Sequence, residues 1–321
     1  MARSAWTPAG TARSSRALRT WWRRCIPRSA SIGPRRSTTP RQSARTPMWT
    51  SWARPAGFRP TRLVPSMARL GAFALLAIAS ALGQDADMVR IPAGDFEMGR
   101  SHALPDDGLK WVPHILRDDR PVHTVTLGGF DMDVHEVTNR QYAEFVAASG
   151  GDVRVPHYWP DGRPPDGRTD DPVANVTWDE AAAYCHWRGK RLPTEAEWER
   201  ACRGGLESAQ YPWGDDEVDE TKAHYDSVKG PKAVCGYAKN GFGLCDMAGN
   251  VWEWTADVYG KDYYSHSPAK NPTGAADGRY RVLRGGSWAD VPKFLTCAQR
   301  SYARPEERSP NIGIRCVRST D

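Results

Sequence analysis

The chain has 321 residues, with 44 Lys and Arg against 38 Asp and Glu, a formal charge of +6. That average conceals two halves of opposite sign: residues 1–66 hold fourteen Arg and no Lys, Asp or Glu, and from Gln84 onward 29 basic side chains face 38 acidic ones, a net of −9. A body with that balance has no electrostatic case for gripping a phosphate backbone, so no nucleic-acid partner is expected.

Residues 1–66 are either an Arg- and Ser-rich transit peptide or a tract translated from a start codon placed too early. The second reading is preferred because a better start lies at Met67. Met67 to Gly83 has a short positive start, a 13-residue apolar run from Leu70 to Leu82 and a small-residue exit at Ala81-Leu-Gly83, the layout of a secretory signal peptide. The run falls short of the roughly 20 apolar residues of a comfortable membrane span, and no Cys follows Gly83 to accept a lipid. The expected product is residues 84–321, secreted or periplasmic, with no membrane span and monomeric. Its length of about 240 residues suits one large domain or two small ones. Six Cys remain, at 185, 202, 235, 245, 297 and 316. An even count beyond a signal peptide reads as three disulfides, with fifteen pairings open.

Met88 to Gly99 and Val122 to Val134 carry β-branched and aromatic residues in partial alternation with Gly breaks and read as strands. Ser101 to Arg120 is polar and aperiodic, hence a loop. Three helices are announced by a Thr followed three residues later by Gln or Glu: Thr138 with Gln141, Thr177 with Glu180, Thr194 with Glu197. In each, the hydroxyl can cap a backbone N–H while the longer side chain reaches back. Apolar stripes come next: Tyr142, Phe145 and Val146; Ala181, Tyr184 and Cys185; Trp198, Ala201 and Cys202. Gly150-Gly151, Gly189 and Gly204-Gly205 supply the stops. From Leu206 onward the helical period vanishes. Ordering so much irregular chain costs entropy, so disulfides or metal ions are expected to hold it.

Several motifs fail on inspection. His135-Glu136 begins like a zinc-protease helix, but Asn139 stands four residues after His135. Gly241-Phe-Gly-Leu-Cys-Asp246 lacks the third Gly of a dinucleotide fingerprint, and Ser287 is not framed as Gly-x-Ser-x-Gly. Asn175-Val-Thr177 is a glycosylation sequon, yet Thr177 already serves as a helix cap.

"MVRIPAGDFEMG", "HEVTNRQYAEFV", "PVANVTWDEAAAYCHWRGKRLPTEAEWERACRGG", "YPWGD", "GFGLCDMAGNVWEWTAD", "RVLRGGSW" and "NIGIRC" occur in order across residues 88–318. Together they resemble the formylglycine-generating enzyme family, also called sulfatase-modifying factor. The resemblance implies a single loop-rich α+β domain of low secondary-structure content, related to the C-type lectin fold. It also implies bridges Cys185–Cys316 and Cys202–Cys297, and the short separation of the two remaining cysteines makes Cys235–Cys245 a plausible third. A bridge enclosing about 130 residues restrains the unfolded chain by about 5 kcal/mol in the loop-entropy model. Calcium is implied at Asp246, Gly249, Val251 and Glu253, since backbone carbonyls of a tight turn beside a carboxylate suit a hard cation; the alternative is that Glu253 pairs with a nearby Arg and Trp252 and Trp254 are core. A second family calcium site near Tyr225 is weakened by His224, where an Asn is expected.

The founding enzymes of the family convert a substrate cysteine to formylglycine with O₂ and copper, through a pair of cysteines beginning two residues after the aromatic of the Gly-Gly-Ser-aromatic turn. Here that slot holds Asp290, and the next Cys, Cys297, aligns with the family's bridging cysteine. A carboxylate does not reproduce a dithiolate site for Cu(I), so copper chemistry is not expected. Three hypotheses remain. The first is a binding module for an unknown protein, peptide or small molecule, with Ser287, Trp288, Asp290 and Arg300 as pocket candidates and Trp288, Asp290, Phe294, Tyr302, Arg304 and Arg308 as a surface of hot-spot composition; in one version the 288–310 segment is diversified, as in retroelement variable proteins. The second is a different oxidase, with Asp290 and a His holding iron. The third is the formylglycine generator itself.

Overall fold

The computed structural model describes residues 87–103 and 118–320, which fall in one compact unit. The stretches expected to be an Arg-rich tract (1–66) and a signal peptide (67–83), and most of the expected 101–120 loop, lie outside the described residues. Each of the two N-terminal stretches read as a strand is in fact two. Pro92 and Ala93 separate β1 (Met88–Ile91) from β2 (Gly94–Met98), and Gly128-Gly129 separate β3 (His123–Leu127) from β4 (Phe130–Asp133). β1 pairs with β4 while β2 pairs with β3, both antiparallel, so the breaks let one long ribbon serve two sheets.

The helices form as expected: α1 (Asn139–Ser149), α2 (Trp178–Trp187) and α3 (Glu195–Arg203). All three Thr-to-Gln/Glu capping boxes are formed on both sides, and Gly150 and Gly204 close α1 and α3 in the left-handed conformation. α1 and α2 bury Tyr142, Phe145, Ala181, Tyr184 and Cys185 in one core, which they share with Trp252, Trp254 and Leu283. α3 is different, because every one of its nine residues is buried. It packs against β2, β3, β5 (Trp252–Val258) and β6 (Arg281–Arg284). A helix enclosed on all sides yet rich in charge must pair those charges, and it does. Glu197 is bidentate with Arg191, Glu199 bonds Arg203 and Arg284, and Arg200 donates to the carbonyls of Pro92, Gly94 and Asp95.

After α3 the chain is mostly turns and short strands. β5, β6, β7 (Arg300–Ala303) and β8 (Ile312–Gly313) form a sheet of order β7-β6-β5-β8, its β5–β8 edge parallel, and β9 (Val317–Ser319) joins β4. Three disulfides tie this region down, as expected: Cys185–Cys316, Cys202–Cys297 and Cys235–Cys245. The first two anchor it to α2 and α3. Asn175 is buried with φ near +63°, its Oδ1 facing His157, so the sequon is a structural turn and Thr177 is a cap.

Candidate functional site

The stretch from Arg284 to Pro292 leaves β6 through two glycines that no other residue could replace. Gly285 (φ +102°) would set a Cβ 3.1 Å from Trp198, and Gly286 (φ +74°) would set one 2.7 Å from both Leu295 Cδ2 and the Phe294 carbonyl. Before the glycines, Arg284 points inward. It holds the carbonyls of Cys297, Ala298 and Gln299 and the Glu199 carboxylate, with no solvent exposure. After them the chain is pinned from two sides: Trp288 N donates to Asn250 O at 2.8 Å, while Ser227 N and Asp226 N donate to Trp288 O and Asp290 O.

Ser287 and Asp290 meet inside this turn. The Ser287 hydroxyl donates to Asp290 Oδ2, which also accepts the Trp252 indole N–H at 2.9 Å. Ser287 Oγ in turn accepts from Asn311 Nδ2 at 3.1 Å. Trp252 and Asn311 are contributions that the sequence reading missed as site residues, although both lie in motifs, "VWEW" and "NIGI", that carried the resemblance. Beside this knot runs an open groove of about 320 Å³ lined by Trp252, Tyr280, Tyr302, Arg304, Glu307 and Asn311. Tyr280 and Tyr302 stand 4.9 Å apart at its wall, and Tyr302 is backed by Tyr259 at 4.2 Å. Trp288 lines a separate cavity of about 180 Å³ with His157, Tyr158 and Pro310. The His157 ring is bonded to Asn175.

Three expected site residues are elsewhere. Arg300 is fully buried on β7, bidentate with Glu195 and stacked over Tyr264 at 4.4 Å. It is a scaffold cation, because the enclosed acids of α3 need one and strand geometry turns its side chain inward. Arg308 bonds Glu180, the capping-box acid of α2, and the Asn175 carbonyl at 2.9 Å, so it clamps a helix end. Phe294 packs against the first core. The aromatic and Arg composition of the segment was real, but only Tyr302 and Arg304 of its expected anchors face the groove.

In the calcium stretch, Gly249 (φ +86°) is obligatory, since a Cβ there would lie 2.4 Å from His224 O. His224 is itself occupied, its Nε2 at 2.9 Å from Gly230 O. Asp246 accepts the Cys235 N–H at 2.5 Å. Glu253 is bidentate with Arg315, accepting Nη2–H on Oε1 at 2.8 Å and Nε–H on Oε2 at 3.0 Å, and accepts the Trp198 indole at 2.6 Å, the ion-pair alternative, with Trp252 and Trp254 buried as core. A third acid, unforeseen from sequence, completes the cluster. Glu136 is fully buried and accepts from Asn250 Nδ2 and Val251 N. Burial pushes its carboxyl well above the usual range, and the nearby Asp246 and Glu253 push it further. Three carboxyls gather around Arg315, and burial holds two of them, Glu136 and Asp246, toward their neutral forms. A cation bound among them would favour the ionised forms, although both Glu253 oxygens are already shared.

Fold and site together define a disulfide-tied α+β domain whose glycine turn presents a Ser–Asp pair beside an aromatic groove. Residues 75–320 match the sulfatase-modifying factor enzyme 1-like domain, and the chain belongs to that family. It is 35% identical over 290 residues to the formylglycine-generating enzyme of Streptomyces coelicolor, covering 73% of this chain and 89% of that protein. It is 32% identical to a Bos taurus protein named inactive C-alpha-formylglycine-generating enzyme 2, covering 73% and 89%. The solved structure of PvdO from Pseudomonas aeruginosa superposes with a TM-score of 0.59 at 29% identity, covering 73% of this chain and 94% of that one. The domain is therefore the formylglycine-generating-enzyme type of C-type-lectin-like fold, as the motifs implied.

Proposed function

We propose that this protein is a member of its family that acts by binding, with the groove between Trp252, Tyr302 and Arg304 as the recognition surface. The observation that carries this reading is the state of the reactive slot. Asp290 occupies it, with one oxygen taken by Ser287 and Trp252. All six cysteines among the described residues are in disulfides, and Cys297, the nearest candidate for rescue, is fully buried in its bridge to Cys202. A Cu(I) site needs soft thiolates, and this turn offers a hard carboxylate. That one relative is named inactive agrees with a family in which the scaffold outlives the chemistry. The ligand is a protein, peptide or small molecule. Three disulfides support an oxidising, secreted or periplasmic location, and no helix among the described residues is long and apolar enough to cross a membrane.

Two assays decide between binding and oxidation. Incubation with copper and a Cys-x-Pro-x-Arg peptide is expected to yield no aldehyde; aldehyde formation would overturn the reading. Peptide and glycan arrays probed with the protein and with a Tyr302→Ala/Arg304→Ala variant are expected to give binders that the variant loses. An array on which the two proteins behave alike sinks the groove as the surface.

The carboxyls of Glu136, Asp246 and Glu253 gathered near Arg315 support a structural calcium ion as part of the same proposal. Asp246, with backbone carbonyls of Gly249 and Val251, would hold it, with Glu253 shared between the ion and Arg315. Its role would be to neutralise the buried acids and stiffen the turn behind Trp252. Metal analysis of the purified protein is expected to find calcium, and stoichiometric copper or iron would favour an oxidase.

A further inference from the structure

A cavity of about 670 Å³ lies away from the groove and shares no lining residue with it. One wall is α2, which turns Trp178, Asp179, Ala182, Ala183 and His186 to it, positions spaced along one helical face. The opposite wall is the β3–β4 turn at Gly128-Gly129 and the Asn271–Thr273 segment, joined through the Gly128 N–H to Asn271 Oδ1 at 3.1 Å. Leu192 and Ala256 complete an interior that is mostly apolar. Small residues leave the space open: a Cβ on Gly128 would meet nothing within 4 Å. The volume lies in the range of cavities that hold small organic molecules.

The charges at the rim are unequal in their engagement. Lys190 is paired with Asp133, and Arg191 is bidentate with Glu197 at 2.6 and 2.7 Å. His186 is exposed at the edge. Asp179 alone among the cavity's carboxylates makes no hydrogen bond or ion pair within the described residues. The closest cationic influence on it is Arg281, which is committed elsewhere, stacked 3.8 Å over Trp178 and donating to Ala256 O. Asp179 is exposed to solvent at the cavity's mouth, where desolvation by the surrounding chain raises its carboxyl and Arg281 opposes the shift, so it stands as an open acid without an ion-pair partner. An apolar chamber with one such acid at its wall complements a molecule with an apolar body and one cationic end.

We propose that this cavity binds a small organic amine, its hydrocarbon or aromatic body against Ala182, Leu192 and Ala256 and its ammonium group on Asp179. The site is independent of the recognition groove. Tryptamine serves as the probe and indole-3-acetate as the control of opposite charge, titrated calorimetrically into the full chain. Tryptamine is expected to bind saturably. Asp179→Asn is expected to weaken it about threefold, as loss of one exposed charge pair predicts, and indole-3-acetate to bind more weakly by at least that factor. Gly128→Leu, which fills open space, is expected to abolish binding with an unchanged circular dichroism spectrum. No saturable tryptamine binding, equal binding of the two indoles, or an unaffected Asp179→Asn variant would each overturn the proposal.

Discussion

The helical half and the half beyond Leu206 are held by different means. In residues 138–204 each helix starts with a box of two local hydrogen bonds and closes on or just before a glycine, so its limits are set within a few residues of sequence. Beyond Leu206 few such local devices recur. That region is fixed from outside by Arg284, Arg300 and Arg315, all without solvent exposure, which tie loops and short strands to the acids of α3 and β5, and by bridges to α2 and α3. The lesson is that irregular chain is stable here because single guanidiniums, each with five donors, satisfy several carbonyls at once. Arg315, for instance, serves the carbonyls of Asp133, Val134 and Cys245 besides Glu253.

Removing each device in turn separates distant from local support. The largest effect is expected from Arg315→Ala, which leaves Glu253 and Glu136 buried without their cation; removal of one partner of a buried pair costs about 3–5 kcal/mol, read by chemical denaturation. Loss of the Cys202–Cys297 bridge in the Cys202→Ala/Cys297→Ala variant is expected to cost about 2–5 kcal/mol. Thr194→Ala, which removes a local cap of α3, is expected to cost only about 1 kcal/mol. If Thr194→Ala proves as damaging as Arg315→Ala, the division between local and distant support is wrong.

A fourth test concerns pH. Burial pushes the Asp118 carboxyl up to about 7 from an ordinary 3.8, with Arg300 and the Tyr259 hydroxyl opposing. Between those values the folded protein holds a proton that the unfolded chain releases, so this group's contribution is full below about 4 and lost as pH rises through about 7. Melting temperature is therefore expected to fall between about pH 4 and about pH 7 on this group's account, levelling above that, and to fall less in Asp118→Asn. An identical pH profile for the two proteins would remove Asp118 as the cause. Smallest of all, Arg304→Ala at the exposed groove rim is expected to shift stability by no more than about 0.5 kcal/mol, so that any loss of ligand in that variant reports recognition alone.

Features with local or countable causes were legible in the order of the amino acids alone. Thr138, Thr177 and Thr194 each named a helix start, Gly150 and Gly204 named stops, and the ordered motifs carried the family and with it two cysteine pairings. That order also showed Asp290 standing in the reactive slot. Where the side chains of the aperiodic region point emerged from the folded chain. Arg300 and Arg308 looked like surface anchors but turn inward to Glu195 and Glu180, and Trp252 and Asn311, from other segments, close around Ser287 and Asp290. Helices and strands have a period from which facing can be read, whereas a loop has none. Its side-chain directions are set by whichever distant charge or carbonyl most needs a partner, and that need exists only once the chain has folded.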